Sequence, residues 1–274
     1  MHAGASPIQH FRNIDVPARE DPGATMRAMP LYKEQGVVLR AAKLGEADKI
    51  VTVMTQGSGK VRAVAKGIRR TTSRFGARLE PTTHVSLMLY RGRGSLDTVS
   101  QVEIISPFLP VRRDLGLLAA AETMLEATDK VAEEHERNVR LFMLLLGGLR
   151  ALEAAPPDPA AVAESFLLKL LSISGFHPSL TACAGCARPG PGLFSAGQGG
   201  AVCSGCAAPD AEPVSAEALA LLSALGGSGF AEAGALAPEA SVRREARRLL
   251  FGFAEYHLER RMRSLPLLVR GSPA

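Results

Sequence analysis

A chain of 274 residues, 46% hydrophobic and 22% charged, has the length of about two domains, each able to bury its own core. No uncharged apolar run reaches the roughly 18 residues of a membrane helix. The first thirty residues place His10, Arg12, Asp15, Arg19, Glu20 and Asp21 where a secretory leader would need an apolar core, so a cytoplasmic protein is expected. In that compartment thiols stay reduced, and the four cysteines point to metal ligation before disulfides.

Residues 1–28 show neither helical nor strand periodicity and read as a disordered extension, with Met26 and Met29 as further possible starts. From there to about residue 110 the chain reads as a β-rich domain. The runs GVVLRAAKL (36–44), KIVTVMT (49–55), KVRAVAK (60–66), THVSLMLY (83–90) and LDTVSQVEI (96–104) are short, rich in Val, Ile, Leu and Thr, and separated by turn residues. Five short strands at near-regular spacing suggest a small barrel of the OB type.

The charge of this stretch is lopsided. Between Leu31 and Arg93 stand thirteen basic residues against four acidic ones, a net +9 where the whole chain carries +5. A basic barrel on a near-neutral body is the footprint of a polyanion binder, most often of nucleic acid. The segment GIRRTTSRFGAR (67–78) sets four arginines around Phe75. Arginine forks grip phosphate oxygens, and Phe75 is read as a stacking face for an unpaired base. The alternative is that Phe75 tucks into the barrel end. Arg91-Gly92-Arg93-Gly94 reads as a tight basic hairpin, since no helix and no Lys-Ser/Thr pair follow as a P-loop requires.

From Leu115 the period changes to helical. Helices are expected over 115–134, 138–155 and 160–175, the last opened by Asp158 and Pro159 and closed by Gly175. Glu133, Glu134 and Glu136 read as a solvated face. Residues 111–274 therefore form an α-helical domain, and the fold class is α+β.

Inserted in that domain, Cys183, Cys186, Cys203 and Cys206 make a C-x2-C-x16-C-x2-C pattern that uses every cysteine of the chain. Two CxxC knuckles at this spacing supply four thiolates for a tetrahedral Zn2+ ion, with no position left open for catalysis. One structural zinc is expected, in a knuckle spanning 183–206. Gly185 and Gly205 are read as letting backbone amides approach the sulfurs. A redox pair is the alternative, disfavoured because neither knuckle sits in a βαβ pattern. Ser215 caps a helix over 216–225, and a last helix runs from Pro238 to about Arg263, with the tail fraying beyond it. Arg243, Arg247 and Arg248 beside Leu250 and Phe253 read either as a solvated basic face or as a dock for an acidic peptide tail or further DNA.

The block GVVLRAAKLGEADKIVTVMTQGSGKVRAVAKGIRRTTSRFGARLEP, with LYRGRG and the closing EYHLERRMRSLPLL, resembles the bacterial recombination mediator family RecO, from about Met29 to Val269. The resemblance implies a non-enzymatic protein of DNA repair. It would bind single- and double-stranded DNA, anneal complementary strands, and act on strands coated with single-stranded DNA-binding protein. With RecR it would help load RecA. Within the resembling block, the DNA-facing candidates by charge are Arg40, Lys43, Lys60, Arg62, Lys66, Arg69, Arg70, Arg74 and Arg91. The family also engages the acidic C-terminal tail of single-stranded DNA-binding protein, for which Arg243, Arg247, Arg248, Leu250 and Phe253 are the candidate surface. The rival reading is a zinc-containing DNA-binding regulator without annealing activity. An enzyme is not expected: no acidic metal site, Ser-His-Asp set or open zinc is evident.

Overall fold

The computed structural model describes residues 31–69, 75–92 and 94–270. Five strands close into a barrel: β1 (Leu31–Leu44), β2 (Asp48–Thr55), β3 (Gly59–Ala65), β4 (His84–Tyr90) and β5 (Asp97–Ser106), in the order β1-β2-β3-β5-β4. All neighbours are antiparallel except β3 and β5, which meet in parallel over Ala63↔Asp97 and Val64↔Thr98 only. This is the OB-like arrangement expected from the strand count.

β1 starts at Leu31, five residues ahead of the expected Gly36. Its first half, LYKEQ, alternates between exposed and half-buried positions as the strand pairs with β4 from Leu31↔Tyr90 to Val37↔His84. The second half pairs with β2, and a register shift between Val38 and Arg40 bends the strand from one partner to the other. Val38 joins Val51, Val53 and Leu87 inside the barrel, while Val37 and Leu39 join the core of the helical domain. Burial on both faces explains why Gly36–Leu39 lacks alternation.

Phe75 is a correction. It is 1% exposed and packs with Ile68 and Leu79 in the barrel core. The alternative given above holds: the ring plugs the barrel and offers no stacking face.

The helical domain comprises α1 (Leu109–Arg113), α2 (Leu115–Val131), α3 (Val139–Glu153), α4 (Pro159–Ile173), α5 (Ala216–Gly227), α6 (Phe230–Ala233), α7 (Ala240–Leu258) and α8 (Leu265–Arg270). Asp114, Asn138, Asp158 and Ser215 each accept the backbone N–H three residues on, capping α2, α3, α4 and α5. α4 is the hub, buried from Ala160 to Leu168 against α2, α3, α5 and α7. In α3 a Cβ at Gly148 would lie 2.5 Å from Met124 Cε, so the glycine's low helix propensity is offset by close approach to α2.

One further expectation is corrected. The last long helix stops at Leu258, with Glu259 in the left-handed region at φ 51°. The Glu126 carboxylate then accepts the N–H groups of Arg263 and Ser264 and the Ser264 hydroxyl. This anchor starts α8, whose Leu268 is 1% exposed, so residues 264–270 dock on α2 instead of fraying, and the last four residues of the expected tail lie outside the described residues. Glu133, Glu134 and Glu136 are exposed, as expected of a solvated face, while the backbone of residues 133–135 pairs with the barrel. The Lys60 N–H donates to Glu133 O, the His135 N–H donates to Lys60 O, and Arg62 meets Glu134 at 3.5 Å. This segment lies along the first half of β3 and joins barrel to helices.

Candidate nucleic-acid interface and metal centre

The nine cations proposed to face DNA divide by their surroundings. Lys43 stands opposite Lys49 at the end of the β1–β2 ladder, and Lys49 is opposite Ala65, the last residue of β3. Lys66 and Arg69 follow immediately. The Arg69 backbone N–H donates to Ala47 O, and its guanidinium donates to Gly45 O at 3.0 Å, tying the segment after β3 to the β1–β2 turn. The Gly67 N–H is held by the Asp48 carboxylate at 2.7 Å. Lys43, Lys66 and Arg69 are exposed at this one end of the barrel. Arg70 and Arg74 lie outside the described residues.

Arg91 sits on the β4–β5 connection with its guanidinium 5.2 Å from the Tyr32 ring centroid, a cation–π distance. Beneath it, the Tyr32 hydroxyl donates to the buried Asp97 carboxylate, whose other oxygen accepts the Gly92 N–H at 2.8 Å. Burial first, and the bond to Asp97 second, push the Tyr32 phenol far above its ordinary value, so it remains a donor at any working pH.

Arg40, Lys60 and Arg62 face the helical domain. Arg40 pairs with Asp129 at 2.8 Å, and Lys60 lies 3.5 Å from the other oxygen of the same carboxylate while donating to its backbone carbonyl at 2.7 Å. Arg62 pairs with Glu134. Across the three strands Arg40 is opposite Thr52 and Thr52 opposite Arg62, so these two share one row on the outer face.

The four cysteines converge. Their sulfurs all lie within 4.8 Å of one another, and Cys186 Sγ is 3.8 Å from Cys203 Sγ. A tetrahedron with Zn–S bonds of about 2.3 Å has sulfurs about 3.8 Å apart, so the donor set fits one tetrahedral ion. The Cys203 N–H donates to Cys183 Sγ at 3.3 Å. That bond, followed by those from Cys186 and Gly185, lowers the Cys183 thiol to about 6 against the opposing effect of burial. Cys206 is pushed the other way by contact with Cys186 Sγ and then the other sulfurs. Four sulfurs this close cannot all ionise without a cation among them. A Cβ at Gly185 would sit 3.1 Å from Cys206 Cβ, so the first knuckle needs its glycine; at Gly205 the nearest contact is 4.0 Å and no such need exists.

The intervening sequence forms a small sheet of β6 (Leu193–Ser195), β7 (Gly200–Val202) and β8 (Glu212–Pro213) in the order β7-β6-β8. Gln198 locks it to the second knuckle, donating to Cys206 O and accepting from the Ala208 N–H, each at 2.8 Å. Phe194 reaches back to Phe253 of α7 with ring centroids 6.0 Å apart.

The candidate partner surface on α7 is corrected. Leu250 and Phe253 are each 2% exposed and belong to the helical core. Arg243 reaches Asp158 and, at 3.1 Å, Glu164; Arg247 meets Glu164 at 2.7 Å. Glu164 is 1% exposed, and an isolated carboxylate at that depth requires compensating cations. Two arginines one turn apart supply them. Only Arg248, paired with Glu212, stays at the surface. The available signal was Glu164 itself, a lone acid inside the apolar run AAVAESFLLKLL.

The comparisons with known proteins agree with this geometry. The model for the Recombination protein O N-terminal domain matches residues 28–108, and that for the C-terminal domain matches 112–266. The chain belongs to the RecO family. It is 47% identical to the DNA repair protein RecO of Frankia casuarinae over 88% of this chain and 100% of that protein. Those of Bifidobacterium adolescentis and a Nocardioides species are each 44% identical, again over 88% of this chain and their full length. The two RecO models meet where β5 gives way to α1. Among the described residues no helix is long and apolar enough to cross a membrane.

Proposed function

We propose that this RecO-family chain is a non-enzymatic mediator of DNA repair and homologous recombination. It binds single- and double-stranded DNA and anneals complementary strands, including strands coated with single-stranded DNA-binding protein. With RecR it promotes loading of RecA. The observation that carries the reading is the cationic barrel end, where Lys43, Lys66 and Arg69 stand exposed on an OB-like barrel. Arg70 and Arg74 continue that segment in sequence, and Arg91 adds a guanidinium held over Tyr32.

Cations fixed on a rigid barrel neutralise phosphates of two strands at once. That lowers the repulsion between the strands and lets complementary bases pair without nucleotide hydrolysis. Arg40, Lys60 and Arg62 are further DNA cations, reached once phosphate competes with Asp129 and Glu134. The four-cysteine centre takes one Zn2+ ion, held by Cys183, Cys186, Cys203 and Cys206. A closed thiolate site of this kind supplies folding free energy and no chemistry. Arg248, exposed on α7 and paired with Glu212, would meet the acidic tail of single-stranded DNA-binding protein.

The test is annealing of complementary oligonucleotides precoated with single-stranded DNA-binding protein, without nucleotide. Acceleration by this protein, lost on reversing Lys43, Lys66 and Arg69 to Glu, is expected. Ordinary duplex binding with no acceleration would refute the mediator reading and leave a zinc-containing DNA-binding regulator.

A further inference from the structure

Between the barrel and the helical domain lies a cleft of about 470 Å³, walled by β1, α2 and the segment joining α7 to α8. Its size lies within the usual range of small-ligand sites, about 300–1,000 Å³. Most of the charged groups around it are already committed. Asp129 holds Arg40 and Lys60, and Glu126 holds the backbone of Arg263 and Ser264 together with Lys130. Three groups are left over. The guanidiniums of Arg260 and Arg263 are exposed on one wall, and neither has a hydrogen-bond or ion-pair partner among the described residues. The half-buried Glu122 carboxyl, also lining the cleft, has none either. Leu125 and Leu267 contribute apolar surface beside them.

Two free arginine forks, an apolar shelf and one unused acceptor are complementary to a single molecule with three parts. It needs an anionic end with several oxygens, a flat apolar body and an N–H edge. We propose that the cleft seats one unstacked nucleotide of a single DNA strand. Its phosphates lie on Arg260 and Arg263, its base lies against Leu125 and Leu267, and an amino or imino N–H of the base donates to Glu122.

Arginine is suited to phosphate because its planar fork donates two parallel hydrogen bonds, and a carboxylate reads the amino group of a base edge. An acidic peptide fits less well, since its carboxylates would be pressed against Glu122 with nothing to pair that group. Position favours the strand as well. Arg40 on the cleft wall is three residues from Lys43, about 10 Å along β1 and on the opposite face of the strand. A DNA strand bound at the cationic barrel end therefore has to pass around β1 to enter the cleft, a path of a few nucleotides. The proposal rests on the DNA-binding reading above.

The experiment uses the full chain and a single-stranded oligonucleotide carrying one 2-aminopurine, titrated across a salt series. The fluorescence of that base rises when it leaves the stack. The wild type is expected to raise it. Arg260→Ala with Arg263→Ala should abolish the rise and reduce the magnitude of the log–log salt slope by about 1.4, two phosphate contacts at about 0.7 each. Arg260→Lys with Arg263→Lys should restore the slope, and Glu122→Ala should cut the fluorescence rise while leaving the slope. None of these side chains belongs to the core, and unchanged thermal midpoints would document intact folding. Cleft variants with wild-type slope and fluorescence, beside a weakened Lys43→Glu, Lys66→Glu, Arg69→Glu protein, would overturn the cleft site and spare the DNA reading. Wild-type binding by the barrel-end variant too would sink both. Unchanged DNA binding with lost affinity for an acidic peptide would reassign the cleft to a protein partner.

Discussion

Asp129 bridges the two domains, and its removal should move stability and DNA binding in opposite directions. Its carboxylate, 24% exposed, holds Arg40 at 2.8 Å and Lys60 at 3.5 Å. The Arg40 side chain is 55% exposed, so that pair contributes at most about 1 kcal/mol. Lys60 is only 15% exposed, so its pair is screened less. At an effective dielectric constant of about 20 the gross attraction at 3.5 Å is near 5 kcal/mol, most of it offset by desolvation. Lys60 also keeps the Asp129 backbone carbonyl at 2.7 Å whatever the side chain. A net loss of about 1–3 kcal/mol is expected for Asp129→Ala, which for a chain of this size lowers the thermal midpoint by roughly 2–5 °C. The same change releases Arg40 toward solvent, while Lys60 stays on the backbone carbonyl. Single-strand binding should tighten at low salt, with the log–log slope steeper by about 0.7. Asp129→Asn keeps an acceptor without the charge and should fall between. The assay is a thermal melt beside anisotropy titrations over a salt series. A lower midpoint with an unchanged slope would mean that Arg40 serves only the domain seam.

Three further outcomes are expected. Metal analysis should find one Zn2+ ion per chain; Cys183→Ser or a strong chelator should lose it and open residues 183–206 to proteolysis, since a structural zinc contributes about 10–16 kcal/mol in comparable peptides. Retention of the sheet at full protease resistance without metal would refute a folding role for the ion. Glu164→Ala leaves Arg243 and Arg247 buried without their shared carboxylate and should cost about 3–5 kcal/mol in urea melts, and a loss under about 1 would show that the arginines escape to solvent. His84, 4% exposed and with its Nε2 unpartnered among the described residues, is lowered to about 4 by burial and then by Arg150. A depressed histidine contributes stability that is fully present above about 6.5 and lost as pH falls toward 4. The thermal midpoint of the wild type should therefore drop between pH 7 and 5 more than that of His84→Gln, and parallel curves would contradict the assignment.

What the amino-acid pattern made legible is what depends on local chemistry. The cysteine spacing announced a donor set whose sulfurs do converge, and Asp158 and Ser215 announced helix starts that their side chains do cap. What stayed hidden depends on which surface another element covers. Phe75 stands among arginines in sequence, yet the barrel end takes it in. Arg243 and Arg247 look like a surface stripe until Glu164, some eighty residues earlier, is seen to need them. The glutamates after α2 carry charge outward while their backbone pairs with Lys60, and composition contains nothing about that pairing. Arg260, Arg263 and Glu122 are unremarkable in sequence because their relation arises only when the end of α7 folds back onto α2.

The segment from Glu133 to Glu136 bears on how the molecule could be divided. β3 meets β5 at Ala63 and Val64 alone, so the Gly59–Arg62 side of the strand has no barrel neighbour, and residues from beyond α2 cover it. The fit is close enough that a Cβ at Gly59 would overlap Glu136 O. A cut near residue 110 therefore leaves the barrel with a raw strand edge, the kind of surface through which separate chains zip together. Although two family models tile this chain as if it were two modules, the N-terminal one is finished only by a piece of the C-terminal one, and they are better regarded as a single folding partnership than as beads on a string.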